Sequence, residues 1–240
     1  NSSARVRRIF CEIARLYDLM NHLLSLGIDI RLIRHTERLV VTQGDYHILE
    51  DCTGTGDLAL AYWRAGGCKS PVVGADFCRP MLDIGKEKAR RAGAERRVTL
   101  VEADAQHLPF PDDTFQVVCV AFGLRNVSDT DRGLREMVRV CRPGGHVAVL
   151  EFALPESRLL GTLYGFYFRR ILTVVGHALA RNREAAYYYL PESVGAFSQR
   201  EDLAERLRAA GLAEVSFHDF TCVVAMLYVG VIGPATACGH

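Results

Sequence analysis

An excess of charge of either sign is missing from this chain of 240 residues: 29 basic side chains face 28 acidic ones, for a net charge of +1. Long-range gathering of nucleic acid by net charge is therefore excluded, and no nucleic-acid partner is expected. Cys-x-x-Cys is missing too. The eight cysteines, at 11, 52, 68, 78, 119, 141, 222 and 238, never fall closer than ten residues apart, which leaves no zinc-ligand pairing and no metal site to propose. Several stand in apolar runs, as in Val117-Val118-Cys119-Val120, where a thiol behaves as a small hydrophobe. Reduced, buried thiols in a cytoplasmic protein are the expectation. The first residues carry no secretory apolar run. Residues 222–239 are uncharged over eighteen positions, but Gly230, Gly233 and Pro234 interrupt them, so a buried strand with a loose tail is expected rather than a membrane span. Repeats and low-complexity stretches are absent as well.

What remains is a hydrophobic fraction of 49% with 24% charged residues, enough to bury a large core and too apolar for disorder. Ile9, Ile13, Leu16, Leu19, Met20 and Leu23 recur at helical spacing, and a second helix is expected over 29–41. The texture then alternates. Strands are expected over 46–51, 71–76, 97–102, 114–121 and 145–152, with helices over 57–65, 81–92 and 131–141 between them. Short apolar strands alternating with helices predict an α/β fold built on a doubly wound parallel sheet. Residues 157–180 break the alternation as an aromatic, apolar helical insertion. A helix over 199–210 follows, then strands over 214–220 and 222–229, too close together for a crossover and therefore antiparallel. One domain over 1–240 is expected: a helical cap (1–44), a cofactor-binding core (45–152), a helical insertion (153–198) and a C-terminal helix with two strands (199–240).

Where the first strand meets the first helix, Asp51-Cys52-Thr53-Gly54-Thr55-Gly56-Asp57-Leu58-Ala59 fits the Gly-x-Gly-x-x-Ala pattern of a dinucleotide loop. Asp76 ends the second strand 22 residues after Gly54, at the spacing of a ribose-binding carboxylate. An adenosine-type cofactor is implied. A pyrophosphate would sit at the helix N-terminus, where Asp57 and Asp51 oppose it; a cofactor with an ammonium and a sulfonium is favoured by the same carboxylates. The plain alternative for Asp57 is an N-terminal helix carboxylate that stabilises the dipole. Asp104, after the third strand, either faces the crevice at the adenine edge or makes a local Asx turn before Pro109.

Three further segments stand out: Tyr17-Asp18-Leu19-Met20-Asn21 with Leu24-Ser25-Leu26-Gly27, then Phe122-Gly123-Leu124-Arg125-Asn126-Val127, then Arg139-Val140-Cys141-Arg142-Pro143-Gly144-Gly145 with Val149-Leu150-Glu151-Phe152. With the glycine loop they resemble the class I S-adenosylmethionine-dependent methyltransferases, and within them the ubiquinone/menaquinone C-methyltransferase (UbiE-type) family. Tyr189-Leu190-Pro191-Glu192-Ser193 adds a further segment, so the similarity runs over nearly the whole chain. It implies a seven-stranded Rossmann-like sheet and C-methylation of a polyprenylated quinol, demethylmenaquinol to menaquinol first, the benzoquinol step of ubiquinone biosynthesis second. By position it implies S-adenosylmethionine contacts at Thr55, Asp76 and the Asp104-Ala105 pair, which join Gly54, Gly56 and Asp51 of the glycine loop as candidate cofactor-binding residues. A further contact, usually serine in the family, falls on Ala121. Cys52 and residues 29–32 also depart from the family pattern.

Methylating carbon needs an aligned, electron-rich ring carbon and a stabilised phenolate-like oxygen. Arg125 is too basic for a proton acceptor and suits the role of oxygen stabiliser, with Asn126 on the neighbouring oxygen and Tyr17, Asp18 and Asn21 closing from the cap. The plain alternatives are that Arg125 pairs with a helix carboxylate, that Tyr17 is core, and that His177 is structural. Residues 159–180 are expected to admit a lipid-tailed substrate at the inner face of a membrane, or to pack on the sheet or in a homodimer. Two rival classes remain. An NAD-dependent oxidoreductase would need a tyrosine–lysine pair that cannot be placed, and a non-catalytic cofactor-binding protein would explain Ala121. No glycine-flanked serine supports nucleophilic catalysis.

Overall fold

The computed structural model describes residues 46–152, 197–198, 200–220 and 225–234. The expected cap, with Tyr17, Asp18 and Asn21, lies outside them, as do nearly all of the insertion, with His177, and the 189–193 segment.

Seven strands form one sheet in the order β3-β2-β1-β4-β5-β7-β6. They are β1 (Ile48–Asp51), β2 (Val72–Asp76), β3 (Val98–Glu102), β4 (Phe115–Ala121), β5 (Cys141–Phe152), β6 (Leu212–Phe220) and β7 (Ala225–Ile232). The first five run parallel, and β7 is antiparallel to both β5 and β6. The seven-stranded Rossmann-like sheet with its closing antiparallel hairpin is thus present. Among the described residues four helices connect these strands: α1 (Asp57–Ala65), α2 (Arg79–Arg91), α3 (Thr130–Val140) and α4 (Glu201–Ala209).

Alternation along the central strands sorts the core into two layers. Ile48, Val117 and Cys119 pack with Leu58, Trp63 and Leu82 of α1 and α2. Leu49, Val118 and Val120 face the other way, against Leu134 and Met137 of α3 and Leu203 and Leu207 of α4. Neighbouring residues point to opposite faces of a strand, so one apolar run feeds both layers. Among the described residues no helix is long and apolar enough to cross a membrane. The expected strand after Cys222 is β7. Of the cysteines, Cys78, Cys119 and Cys141 are buried, whereas Cys68 is exposed.

The helix after β4 begins because the Asp129 side chain accepts a hydrogen bond from the Arg132 N–H at 3.0 Å. Helix α2 starts two residues earlier than the apolar pattern marks, since Pro80 sits in its first turn, where its missing N–H costs nothing. Strand β5 begins four residues earlier than expected, running through Pro143-Gly144-Gly145, and its pairing with β4 shifts register between Phe115 and Val117. Glycine and proline read as a turn in sequence; here the irregular pairing accommodates them.

Candidate active site

Strand β1 lies between β2 and β4, so the chain order reverses there and opens a crevice at the strands' C-terminal ends. The glycine loop occupies that point. Gly54 and Gly56 have φ of 58° and 74°, left-handed values that suit glycine, and Cys52 holds 55° despite its side chain. Asp76 ties the crevice together. Its Oδ2 accepts the Gly54 N–H at 2.8 Å and its Oδ1 the Cys78 N–H at 2.8 Å, so one buried carboxylate fixes the loop after β1 to the turn after β2. Burial raises its pKa against those hydrogen bonds.

Two more carboxylates end β1. Glu50 accepts the Thr53 hydroxyl at 2.5 Å, and burial pushes its pKa up to about 8. Asp51 accepts the Cys52 N–H at 2.9 Å through Oδ1, while its Oδ2 is buried with no hydrogen-bond partner. Burial first, then the nearby charges of Asp76, Asp104 and Glu136, push the Asp51 carboxyl up to about 7. Asp104 is exposed and accepts the Gln106 N–H at 2.9 Å. The local Asx turn is therefore formed, and the charge of Asp104 still reaches Asp51. Ala105 beside it is buried.

Asp57 does not stand bare at the start of α1: Lys88 Nζ, from α2, donates to its Oδ1 at 2.7 Å and to Thr55 Oγ1 at 3.1 Å. A compensated Asp57 does little against a pyrophosphate, and the preference for a cationic ligand rests on Asp51 and its acidic neighbours.

Across the crevice, β4 ends at half-buried Ala121, and Phe122 turns the chain at a φ of 56° into a short 3-10 turn, Leu124–Asn126. Ala121 has no side-chain donor or acceptor. Arg125 departs from expectation in another way. It neither stands free nor pairs with a helix; it is locked to Glu151 on β5, Nη1 to Oε2 at 2.8 Å, with side chains only 6% and 2% exposed. The same nitrogen donates to the Phe122 carbonyl, and the guanidinium lies 5.1 Å from the centroid of the Phe152 ring. The Asn126 amide is 3.5 Å from the same Phe122 carbonyl.

Sequence reasoning overlooked two glycines. A Cβ on Gly85 of α2 would come within 2.8 Å of the Thr55 carbonyl oxygen, and one on Gly74 of β2 within 2.8 Å of Thr53 Oγ1. They let α2 and β2 approach the loop. A glycine inside a helical pattern was the available signal. Glu50 and Glu151, charged residues inside apolar strand runs, were visible as well and were given no role.

The model of the ubiE/COQ5 methyltransferase family matches residues 1–232. The chain belongs to this family. The "Demethylmenaquinone methyltransferase" of Thermus thermophilus is 46% identical over 223 residues, spanning 92% of this chain and 99% of that protein. The "Ubiquinone/menaquinone biosynthesis C-methyltransferase UbiE" of Geobacter sulfurreducens is 39% identical over 229 residues, 95% of this chain and 89% of the other. A solved S-adenosylmethionine-dependent methyltransferase from Aquifex aeolicus superposes with a TM-score of 0.61 at 18% identity, over 83% of this chain and 89% of that one, an agreement of fold. This family member is therefore a methyltransferase that uses S-adenosylmethionine, and its residues fit that cofactor. The unpartnered Asp51 Oδ2 offers an acceptor to a cationic group, and the left-handed glycines leave the loop backbone open to close approach.

Proposed function

We propose that this methyltransferase C-methylates the ring of a polyprenylated quinol, converting demethylmenaquinol to menaquinol. The observation that carries the reading is the near end-to-end likeness to the Thermus thermophilus protein named for demethylmenaquinone. The Geobacter sulfurreducens protein's name covers ubiquinone as well, so a benzoquinol acceptor is the second reading.

S-adenosylmethionine, when bound, supplies an electrophilic methyl group. The chain's own work is placement. Asp76, already fixed by backbone N–H groups on both sides, offers its remaining acceptor capacity to the ribose hydroxyls. Asp51 faces the cationic end, Gly54, Thr55 and Gly56 form the close-approach loop, and Asp104 with Ala105 borders the adenine edge. Ala121 contributes backbone alone. On the substrate side Arg125 and Asn126 hold the quinol oxygens, with Tyr17 contributed from the cap. An oriented donor on the quinol oxygen favours charge developing there, while positioning aligns the ring carbon with the methyl group. The segment 159–180 brings the enzyme to a membrane surface and admits the lipid tail; cytoplasmic residence with peripheral attachment follows from that reading.

Side-by-side assays with a short-tailed naphthoquinol and benzoquinol of equal tail length decide between acceptors. A clear preference in kcat/KM for the naphthoquinol is expected; equal or reversed preference moves the assignment to the ubiquinone step or to both.

A further inference from the structure

Glu151 is the penultimate residue of β5 and has no part in the reading above. It is among the most buried charged groups of the described residues, and all its bonds converge on one neighbour and its own strand. Oε2 takes the Arg125 guanidinium at 2.8 Å, Oε1 takes the Arg125 backbone N–H at 3.2 Å, and Oε2 also lies 3.3 Å from the Phe152 N–H. A single carboxylate therefore fixes both the backbone and the side-chain end of Arg125. The turn it fixes is a strained one. Phe122 and Cys52, at the ends of adjacent strands, both hold left-handed backbone, and a Cβ on Gly123 would come within 2.3 Å of the Cys52 Cβ. Glu151 also contributes to raising the Cys52 thiol, which places its charge within reach of the glycine loop. With Nη1 committed, Arg125 Nε is buried without a partner. A buried donor on a charged group is costly to leave unmade, and is tolerated where a ligand brings the acceptor.

We infer that Glu151 is a positioning residue for the reaction: it holds Arg125 so that the unpartnered Nε–H is reserved for an oxygen of the quinol. This rests on the acceptor being a quinol. The pair is neutral as a unit, so Arg125 acts as an oriented donor and not as a free counter-ion. Strength then comes from orientation in a dry site, which is what the second carboxylate oxygen on the Arg125 backbone secures.

The test combines kinetics with arginine side-chain NMR on cofactor-saturated protein. Arg125→Ala should lower kcat by about a hundredfold, the usual loss for one preorganised electrostatic group. Glu151→Gln should lower kcat by about tenfold or more, with the quinol KM and the S-adenosylmethionine Kd unchanged within a fewfold. Glu151→Asp should recover part of the loss. The double variant E151Q/R125A should be no slower than R125A, because the two residues act as one unit. In NMR, the wild-type Arg125 Nε–H should exchange slowly and shift when short-tailed naphthoquinol is added, and should broaden away in E151Q. Wild-type kcat in E151Q, multiplying losses in the double variant, or an unchanged Nε–H signal would each overturn the inference. Should E151Q fail to fold, E151D against R125A carries the same comparison. Should wild-type enzyme methylate no quinol, the substrate reading falls separately, and the Nε–H signal in E151Q still decides the pair.

Discussion

Glu50, Asp51 and Asp76 bury three carboxylates at the ends of two neighbouring strands, held by the Thr53 hydroxyl and the N–H groups of Cys52, Gly54 and Cys78. Glu50 and Asp51 titrate near 8 and 7 in the fold, against 4.5 and 3.8 as ordinary groups. Between those limits the folded chain keeps protons that the unfolded chain has released. Stability of the cofactor-free protein therefore falls as pH rises from about 5 to 8, opposite to a protein held by salt-bridged acids. Thermal melts over that window should show a declining Tm, and Glu50→Gln should flatten the decline; a rising Tm would contradict the burial account. Asp76→Ala removes a charged acceptor and should weaken S-adenosylmethionine by about 1.5–3 kcal/mol in calorimetry. Unchanged affinity would remove Asp76 from the site. Asp76 and the glycines were legible because their spacing is dictated by the loop they build. The partners of Arg125 and Asp57 were not, because Glu151 and Lys88 lie 26 and 31 residues away and meet them only across the fold.

Elements were easier to read than their ends. Each expected strand and helix of the described core exists, since periodicity of two or of 3.6 reflects which face is buried. The place of β7, between β5 and β6, was not available from sequence: adjacency in the chain implied only that β6 and β7 pair, and pairing with β5 depends on which edge remains open. Helix α2 offers the sharpest test at this scale. Alanine at Gly85 would gain about 1 kcal/mol of helix propensity, yet its Cβ would lie 2.5 Å from Leu100 Cδ1 and 2.8 Å from the Thr55 carbonyl oxygen. Leu100 can rotate, whereas the loop backbone has to move. Gly85→Ala should therefore lower stability by about 1–3 kcal/mol and weaken S-adenosylmethionine more than tenfold. Denaturant titration and calorimetry check both. A stabilised variant with normal cofactor affinity would show that α2 does not set the loop.

At the scale of the whole molecule, the crevice follows from topology: a sheet wound both ways from β1 leaves its opening where Asp51, Asp76 and the Arg125 turn converge. The apolar segment 159–180 is proposed to reach a lipid surface, and flotation with anionic vesicles tests it. Intact protein should float, and Phe166→Ser with Phe168→Ser should release it while slowing turnover of long-tailed quinol. Protein that ignores vesicles of any composition, with the double variant fully active on that quinol, would assign the segment to the core. The central claim is methyl transfer from S-adenosylmethionine to ring carbon, and locating the transferred methyl tests it most directly. Purified protein, S-adenosylmethionine labelled in its methyl group with carbon-13, and reduced short-tailed demethylmenaquinol should yield a product whose NMR places the label on the naphthoquinol ring carbon. Label on oxygen, or none in the quinol although the cofactor binds, would contradict the account.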